Sequence, residues 1–447
     1  MCKKTALRLK NSYIQFNFSH EVQVFYMLIE FSVSNYRSFR EKQTLSMVAT
    51  PRLSKKRNVF KPFVDGEKLP NLLKVAAIYG PNASGKSSLI QALGVVTELL
   101  SITPTADNKG LPVKAFRFDP ELADLPSNFE YNFIKNGLRY QFVLGVTEKR
   151  IVEERLTSYP KGKESLLYSR ELTSKGERYI FGEGLEGGKE VHEAWRRLTS
   201  PKTLFIAQSV ANSSEELRQL REPFEWFKTT LWSIEQDSML RWSTASIRIL
   251  KKVPRFTEHL EQFLRDVDIP VSNIEFEDSV AETALMKASE ALSAENVFGG
   301  DQNDKTTLTH TTLLGSAEFD FSEESGGTKN LIGFWLPWTT MNFRSDSEGG
   351  ILAVDELDSS LHPEIVADLI EKHLDRKIDS QLIFTTHDTH LMNAKVLRRD
   401  QFWITERDEN GATKLFSIHD FEGREGEDVE KRYFEGRYRG LPLIRRK

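Results

Sequence analysis

Residues 80–87 carry the residue types and the spacing that bind nucleotide phosphates. They read Gly-Pro-Asn-Ala-Ser-Gly-Lys-Ser and match the pattern G-x-x-x-x-G-K-[ST]. In such a loop the glycines let backbone N–H groups surround phosphate oxygens, the lysine reaches the β- and γ-phosphates, and the serine hydroxyl binds Mg²⁺. We therefore predict a phosphate and Mg²⁺ site whose binding residues are Gly80, Asn82, Ser84, Gly85, Lys86, Ser87 and Ser88.

A second group of candidate residues follows two apolar runs in the last quarter of the chain. Asp355 and Glu356 follow residues 350–354, and His387 follows residues 381–386. Asp355 would bind Mg²⁺ directly or through water, and Glu356 would polarise the water that attacks the γ-phosphate. His387 could donate a hydrogen bond to that phosphate and report its presence. The predicted catalytic groups are therefore Lys86, Glu356 and His387, and the predicted metal ligands are Ser87 and Asp355.

Two short polar runs lie near these acids in the sequence. Residues 324–328 read Glu-Ser-Gly-Gly-Thr and precede an apolar pattern of helical spacing. Backbone amides and a serine hydroxyl at a helix N-terminus suit a γ-phosphate, so Ser325, Gly326 and Gly327 are candidate binding residues. Asp358 belongs to the second run, Leu-Asp-Ser-Ser-Leu-His-Pro, at residues 357–363.

The sequence also predicts the elements that must position these residues. Residues 74–79 form a short apolar run, which predicts a strand, and apolar residues recur at helical spacing over residues 89–100. The phosphate loop therefore lies between a strand and a helix. The apolar runs before Asp355 and His387 predict two more strands. A further strand is expected at residues 401–405, before a hairpin turn at Asn410-Gly411.

The chain after the first predicted helix has the pattern of antiparallel strands. Residues 129–133 and 140–146 alternate between apolar and polar on either side of Asn136-Gly137, which predicts a hairpin with a type I′ turn. A second hairpin is expected around residues 174–176.

Residues 187–314 have a mainly helical pattern. The predicted helical segments are 215–234 and 246–267, and a polar stretch follows at 299–312. No heptads persist, so we expect a compact helical module rather than a long coiled-coil arm. An aromatic stripe in this module fits either a core or an interface, and consists of Phe224, Trp226, Phe227 and Trp232.

Composition limits the class of protein. The 447 residues include one cysteine, Cys2, so no internal disulfide can form and a cytoplasmic setting is expected. Lys+Arg total 61 and Asp+Glu total 65, giving a formal charge of -4, so nucleic-acid binding would require a local patch. Hydrophobic residues at 39% indicate a chain that buries a core, and no apolar run is long enough to span a membrane.

Two basic clusters could supply a local patch for nucleic acid. Each fits either a surface that follows phosphates or an ordinary solvated surface. The first contains Arg52, Lys55, Lys56, Arg57 and Lys61, and the second contains Arg437, Tyr438, Arg439, Arg445, Arg446 and Lys447.

Together the motifs resemble those of ABC-type ATPase heads of the SMC, Rad50, RecF and OLD superfamily. The phosphate loop (Walker A), the Ser-Gly-Gly-Thr signature, the Asp-Glu pair (Walker B), the D-loop with Asp358 and the switch histidine follow one another in the superfamily's order. Residues 35–39, Asn-Tyr-Arg-Ser-Phe, are similar to the segment that approaches the nucleotide in SMC and Rad50 heads, so Arg37 is a further candidate binding residue.

A narrower resemblance is to the AAA15 group, the RloA-like and AriA-like ATPases that are often associated with anti-phage systems. It depends on the start at residues 27–39, the Glu-Glu-Ser-Gly-Gly-Thr signature, the D-loop run and the ending at residues 433–442.

The resemblance implies an α/β fold: an ABC-type P-loop ATPase head with an antiparallel β-lobe and an inserted helical module. The implied division is 1–26, an N-terminal extension or a misassigned start before Met27; 27–186, the first half of the head with the β-lobe; 187–314, the helical insertion; and 315–447, the second half of the head. The superfamily's Q-loop glutamine has no secure position. Residues 115–119, the expected strand after the first helix, contain no glutamine, and Gln141 and Gln208 are only spare candidates.

The resemblance also implies a function and partners. It implies ATP bound with Mg²⁺ between two copies of the chain, in a homodimer or higher homo-oligomer, where Ser325, Gly326 and Gly327 of one copy contact the nucleotide of the other. It further implies a phage-defence switch that holds or activates an effector, a Toprim-type nuclease supplied in trans, since only 60 residues follow His387. The alternative is a RecF-like or Rad50-like DNA-binding clamp in repair. The near-neutral charge and the lack of heptads favour the first, and no membrane partner is expected.

Overall fold

The computed structural model describes residues 26–102, 110–276, 305–343, 349–359, 361–376, 379–393, 396–424 and 426–441. The strands are β1 (Tyr26–Ser34), β2 (Gln43–Ser46), β3 (Val59–Phe60), β4 (Leu72–Leu73), β5 (Val75–Tyr79), β6 (Ser127–Lys135), β7 (Leu138–Val146), β8 (Ile151–Ser158), β9 (Ser165–Thr173), β10 (Gly176–Phe181), β11 (Leu231–Ile234), β12 (Val271–Phe276), β13 (Thr306–Thr312), β14 (Gly315–Asp320), β15 (Ile351–Val354), β16 (Gln381–Thr385), β17 (Phe402–Arg407) and β18 (Thr413–Ser417). The helices are α1 (Lys86–Ser101), α2 (Gly188–Leu198), α3 (Phe205–Ala211), α4 (Arg221–Glu225), α5 (Met239–Lys252), α6 (Thr257–Asp266), α7 (Gly326–Phe343), α8 (Pro363–Leu374), α9 (His390–Asn393) and α10 (Val429–Phe434).

A six-stranded sheet forms the centre of the molecule, with the order β11-β15-β16-β5-β17-β18. The first five strands are parallel, and β18 pairs antiparallel with β17. Strands β5, β15 and β16 are buried along their whole length, as expected for apolar runs covered on both faces. Their carboxyl ends meet at one edge of the sheet, where loops bind ligands in such folds. The predicted strands before Gly80, Asp355 and His387 are confirmed.

A seven-stranded antiparallel sheet, the β-lobe, has the order β10-β9-β8-β7-β6-β1-β2. Asn136 and Gly137 have φ angles of 52° and 73° and join β6 to β7, as the predicted type I′ turn requires. The second predicted hairpin joins β9 to β10. The buried amide of Gln381 in β16 connects the two sheets, because it bonds both the N–H and the carbonyl oxygen of Leu28 in β1.

The predicted helical segment at residues 215–234 is wrong at both ends, because residues 215–220 are turns and irregular structure and the last four residues form a strand. Helix α4 is followed by a π-helical turn at Trp226–Thr230 and then by β11, which pairs in parallel with β15. Leu231 and Ile234 are buried in the core, and pairing with β15 overrides the local helical pattern. A strand of the central sheet therefore lies inside the predicted insertion, whose boundaries stay a prediction.

Other expectations for this part of the chain need smaller corrections. The segment at 246–267 contains two helices, α5 and α6, separated at Pro254, which lacks a backbone N–H. In the predicted polar stretch at 299–312, residues 306–312 form β13, which lies between β12 and β14 in a three-stranded sheet, and residues 299–304 lie outside the described residues. The expected strand at 115–119 is an irregular loop.

The aromatic stripe of the predicted helical module belongs mainly to the core. Trp226 and Phe227 are fully buried, and Trp226 stacks on Phe133 of the β-lobe with ring centroids 4.2 Å apart. Phe224 and Trp232 are partly buried against the two main clusters of apolar side chains. This burial favours the core interpretation over an interface.

Helix α7 is the longest described helix and contains Pro337. Across the described parts of the chain, none of the helices combines the length and the apolar character needed to cross a membrane.

Candidate functional site

The phosphate loop requires glycine at two positions. Gly80 follows β5 with a φ of 151°, and Gly85 precedes α1 with a φ of 104°, conformations that other residues rarely adopt. A Cβ atom at Gly80 would clash with Thr405, and one at Gly85 would clash with Thr413 and Ser38. The close approach of β17, β18 and the Ser38 segment therefore fixes both glycines.

Hydroxyl groups from distant parts of the sequence support the phosphate loop through hydrogen bonds. Ser84 Oγ lies 2.6 Å from Thr405 Oγ1, which donates to the carbonyl of Tyr79 at 3.1 Å. Thr413 Oγ1 donates to the carbonyl of Ser84 at 2.8 Å and lies 2.8 Å from Ser38 Oγ. The predicted binding residue Ser84 thus has its hydroxyl buried against β17, so its side chain faces away from solvent.

Lys86 is buried at the start of α1, and its ammonium group bonds its own loop. Its Nζ donates to the carbonyls of Gly80 at 2.9 Å and Pro81 at 3.2 Å. Burial lowers the pKa of Lys86, while the charges of Asp355 and Glu356 oppose that shift. The lysine therefore lies within electrostatic reach of the acids at the end of β15. Asn82 and Ser87 are exposed and Ser88 is half-buried, so these predicted binding residues are accessible to a ligand.

Asp355 and Glu356 follow β15, and Thr385 of β16 holds both. The Thr385 hydroxyl donates to Asp355 Oδ1 at 2.7 Å and accepts from the backbone N–H of Glu356 at 2.7 Å. Glu356 has a φ of 51°, a left-handed conformation that is strained for a residue with a side chain. Thr385 therefore orients the carboxylate of Asp355 and holds the strained backbone of Glu356.

The available ligands suit Mg²⁺ bound together with phosphates. The exposed hydroxyl of Ser87 and the carboxylate of Asp355 are hard oxygen donors, and Mg²⁺ commonly takes one or two protein ligands beside phosphate oxygens and water. The described residues contain no group of three or more His, Cys, Asp or Glu side chains that could hold a metal ion.

The D-loop contacts the segment after β16. Asp358 Oδ2 accepts from the backbone N–H of His387 at 3.3 Å, and the side chain of His387 is exposed at the same edge of the sheet. The structure thus brings Lys86, Asp355, Glu356, Asp358 and His387 to the ends of three neighbouring strands, β5, β15 and β16. Ser360 of the D-loop lies outside the described residues.

The signature residues 325–328 form the start of helix α7, where they hydrogen-bond one another. Ser325 Oγ accepts from the N–H of Thr328 at 3.1 Å, and α7 begins at Gly326. Ser325 and Gly326 are exposed, and Gly327 is half-buried. This exposed helix start suits an anion supplied from outside the chain.

Arg37 lies on a strained turn next to the phosphate loop. Its φ is 48°, its N–H donates to the carbonyl of Lys114 at 2.8 Å, and its side chain is exposed. The neighbouring Ser38 carbonyl accepts from the N–H of Thr413 at 2.7 Å, which connects this turn to the loop.

Sequence reasoning missed Glu235 and Gln236, which follow β11 at the edge that carries Asp355. Glu235 accepts from Gln91 of α1 at 2.7 Å, and Gln236 is exposed. Because β11 has only four residues, its pattern could not be distinguished from a helix. Of the spare glutamines, Gln141 bonds Glu130 within the β-lobe, and Gln208 lies in α3.

The fold and the motifs at one sheet edge define a P-loop ATPase head of the ABC type. Within that class, the chain belongs to the family described as "AAA domain, putative AbiEii toxin, Type IV TA system", whose model matches residues 75–393. No curated protein matches the chain.

Three solved structures show a low similarity. The SMC head domain from Thermotoga maritima has 17% identity and a TM-score of 0.38, covering 87% of this chain and 98% of that chain. The SmcHead bound to the C-winged helix domain of ScpA has 14% identity and a TM-score of 0.38, covering 87% and 96%. The recombination mediator protein RecF with ATP has 14% identity and a TM-score of 0.37, covering 88% and 100%.

Proposed function

We propose that this protein is a switch ATPase that binds ATP with Mg²⁺ and hydrolyses it in sites shared by two copies of the chain. The observation that carries the proposal is the meeting of Lys86, Asp355 and Glu356 at the carboxyl edge of the central sheet, beside a loop that must be glycine at two positions. A purely structural loop would have no need of a buried lysine whose hydrogen bonds, within the described residues, go to the carbonyl groups of the loop itself.

The residues have distinct roles in this proposal. Lys86 exchanges the carbonyls of Gly80 and Pro81 for phosphate oxygens, and Ser87 and Asp355 hold Mg²⁺, which neutralises phosphate charge. Glu356 accepts a proton from the attacking water, and its left-handed backbone directs the carboxylate. His387 donates to the γ-phosphate and signals its loss.

A second copy of the chain would complete each site. The exposed start of α7 offers backbone N–H groups and the Ser325 hydroxyl to a phosphate from outside the chain, as the resemblance to ABC-type heads implies. The γ-phosphate would then bridge the copies, and its removal would release them. Glu235 and Gln236 are candidates for the Q-loop position, because they follow the strand next to β15.

For the biological role, we propose a cytoplasmic AAA15-like defence ATPase that holds or activates an effector protein, a Toprim-type nuclease supplied in trans. The description of the matched family, which names a toxin of a toxin–antitoxin system, supports a defence role in general terms. A RecF-like or Rad50-like DNA clamp is the alternative. It would require a basic surface, and Arg57 of the first basic cluster is paired with Asp375 while Lys55 bonds the carbonyl of Leu397. Arg445, Arg446 and Lys447 of the second cluster lie outside the described residues.

The enzymatic part can be tested with two variants and a control. Lys86→Ala should abolish ATP binding measured by calorimetry, because it removes the buried cation of the loop. Glu356→Gln should still bind ATP, but its rate of phosphate release should fall by a factor of at least about a hundred, since the variant lacks the proton acceptor. Lys42→Ala, which changes an exposed lysine paired with Glu130, is the matched control and should behave as wild type. Normal hydrolysis by Glu356→Gln would contradict the assignment.

The partner can be identified with the same variant. Native mass spectrometry of Glu356→Gln purified from its host with MgATP should show a homo-oligomer together with a stoichiometric protein of nuclease-like sequence. A homo-oligomer with bound DNA and no second protein would favour the clamp instead.

A further inference from the structure

Three buried oxygen atoms near the ends of β5, β15 and β16 have no hydrogen-bond partner among the described residues. They are Oη of Tyr79, Oδ1 of Asp358 and Oδ2 of Asp388. Buried polar atoms are nearly always paired, since an unpaired one loses its bonds to water without replacement. Three at one sheet edge, next to the candidate nucleotide site, therefore require an explanation.

Backbone contacts place these residues next to one another. The N–H of Thr386 donates to the carbonyl of Ile78 at 3.1 Å, so the segment after β16 runs beside the residue before Tyr79. Thr386 Oγ1 in turn accepts from the N–H of Asp388 at 3.0 Å. Asp388 uses its other oxygen, Oδ1, for the N–H of His390 at 2.9 Å. The free oxygen of Asp388 is thus close to the buried end of β5.

The hydroxyl of Tyr79 is a proton donor for which the described part of the chain offers no acceptor within hydrogen-bond distance. Tyr79 is 1% exposed, and its ring packs between Phe402 and Tyr433. Burial raises its pKa well above the usual value, and the carboxylates of Asp388 and Asp358 raise it further. The phenol therefore keeps its proton and is close enough to sense both carboxylates.

A contact of Lys86 restrains the backbone at the end of β5. Its ammonium group holds the carbonyl of Gly80, the residue directly after Tyr79, at 2.9 Å. When Lys86 moves to phosphate oxygens, as the proposed function requires, the end of β5 loses this restraint and the tyrosine side chain can approach its acceptor.

We propose that Tyr79 is a positioning residue whose hydroxyl donates to Asp388 Oδ2 in the nucleotide-bound protein and thereby fixes the neighbouring His387. This inference rests on the proposed function and adds a physical connection to it. The movement of Lys86 on phosphate binding is transmitted through Gly80 and Tyr79 to the switch histidine, His387.

The test compares two neighbouring tyrosines that each lose only a hydroxyl. Tyr79→Phe should leave the Tm without nucleotide unchanged or higher, because it removes an unpaired buried group, yet lower kcat about tenfold with KM for ATP within about twofold. Tyr433 donates to the carbonyl of Gly440 at 2.8 Å, so the control Tyr433→Phe should lower the Tm and keep kcat within about twofold.

A double-mutant cycle identifies the acceptor. Asp388→Asn alone should also lower kcat about tenfold, and Tyr79→Phe combined with Asp388→Asn should be no slower than either single variant. Wild-type kcat in Tyr79→Phe, losses that multiply in the double variant, or a fall in Tm like that of Tyr433→Phe would each overturn the inference. Absence of hydrolysis in wild type, or full activity in Lys86→Ala, would instead contradict the proposed function.

Discussion

Buried carboxylate oxygens occur in both the β-lobe and the nucleotide edge of the central sheet, but they are bonded differently. In the lobe, Glu154 is 0% exposed and both of its oxygens accept hydrogen bonds, from Tyr168 and from the N–H groups of Phe205 and Ile206. At the nucleotide edge, Asp358 and Asp388 each have one oxygen that finds no partner among the described residues. Both oxygens of the buried lobe carboxylate are bonded within the described residues, whereas the two carboxylates at the edge each have one that is not, which is the expected difference between a structural carboxylate and one that a ligand or a conformational change completes.

The lobe network joins strands to the helices behind them. Arg170, 1% exposed, donates to the carbonyls of Thr203 at 2.8 Å and Ser200 at 3.0 Å, and to Glu177 at 3.0 Å. Together with Glu154 it holds the start of α3 against β8 and β9. At the nucleotide edge, the backbone of Glu356 is strained, as is common for residues at functional sites.

The largest expected effect is on the stability of the lobe. Glu154→Gln should lower the free energy of unfolding by about 3 kcal/mol, because it places an amide N–H₂ where a buried carboxylate oxygen accepts hydrogen bonds and leaves Arg170 with Glu177 as its carboxylate partner. Denaturant unfolding measures this loss. The hydrolysis rate per folded molecule should stay within about twofold of wild type, since the nucleotide edge is untouched.

An exposed ion pair in the same lobe provides the control. Lys42 and Glu130 lie 2.7 Å apart at the surface, and Lys42→Ala should cost less than about 1 kcal/mol. Similar losses for the two variants would show that burial does not set the importance of Glu154.

A smaller effect tests whether every unpaired atom near the central sheet signals a ligand site. His373 of α8 is buried, with Nε2 3.2 Å from the carbonyl of Lys74, while Nδ1 has no hydrogen-bond partner among the residues that the structure describes. Burial above all, with the nearby charges of Lys74 and Arg376, lowers its pKa from 6.5 to about 3. We therefore expect His373 to be a structural group that stays neutral in the folded protein. Its unpaired nitrogen would then not indicate a ligand site, unlike the unpaired carboxylate oxygens of Asp358 and Asp388.

This shift predicts the direction of a pH effect. Because the folded pKa is below the unfolded one, the stability from neutral His373 is complete above pH 6.5 and declines as the pH falls toward 3. At pH 5 the loss is about 2 kcal/mol. When the pH is lowered from 7.5 to 5, the free energy of unfolding should therefore fall by about 2 kcal/mol less in His373→Phe than in wild type. An unchanged difference would mean that His373 titrates normally.

The sequence predicts the central motifs well because each is local. A strand, a glycine-rich loop and a helix follow one another within residues 75–101, and the Asn136-Gly137 turn needs only its own residues and the flanking alternation. The missed features are long-range. The pairing of β11 with β15 joins residues more than a hundred positions apart, and four residues contain too little periodicity to reveal it.

The hydroxyl groups around the site were missed for the same reason. Thr405 and Thr413 support the phosphate loop from the hairpin of β17 and β18, more than 300 residues along the chain. A threonine in a strand is an ordinary residue in the sequence, and only the register of the sheet shows what its side chain meets.

The smallest expected effect concerns such a hydroxyl and compares the two regions most directly. Thr385 is fully buried, donates to Asp355 and accepts from the N–H of Glu356, so it is a bonded group at the otherwise incomplete edge. Thr385→Val keeps the shape but removes both bonds, and kcat for ATP hydrolysis should fall about tenfold because the carboxylate of Asp355 and the backbone of Glu356 each lose a hydrogen bond that holds them. Thr385→Ser keeps the hydroxyl and should retain most of the rate. Steady-state phosphate release at saturating ATP and Mg²⁺ measures both. Equal losses in the two variants would mean that packing of the methyl group, rather than the hydroxyl, positions the acids.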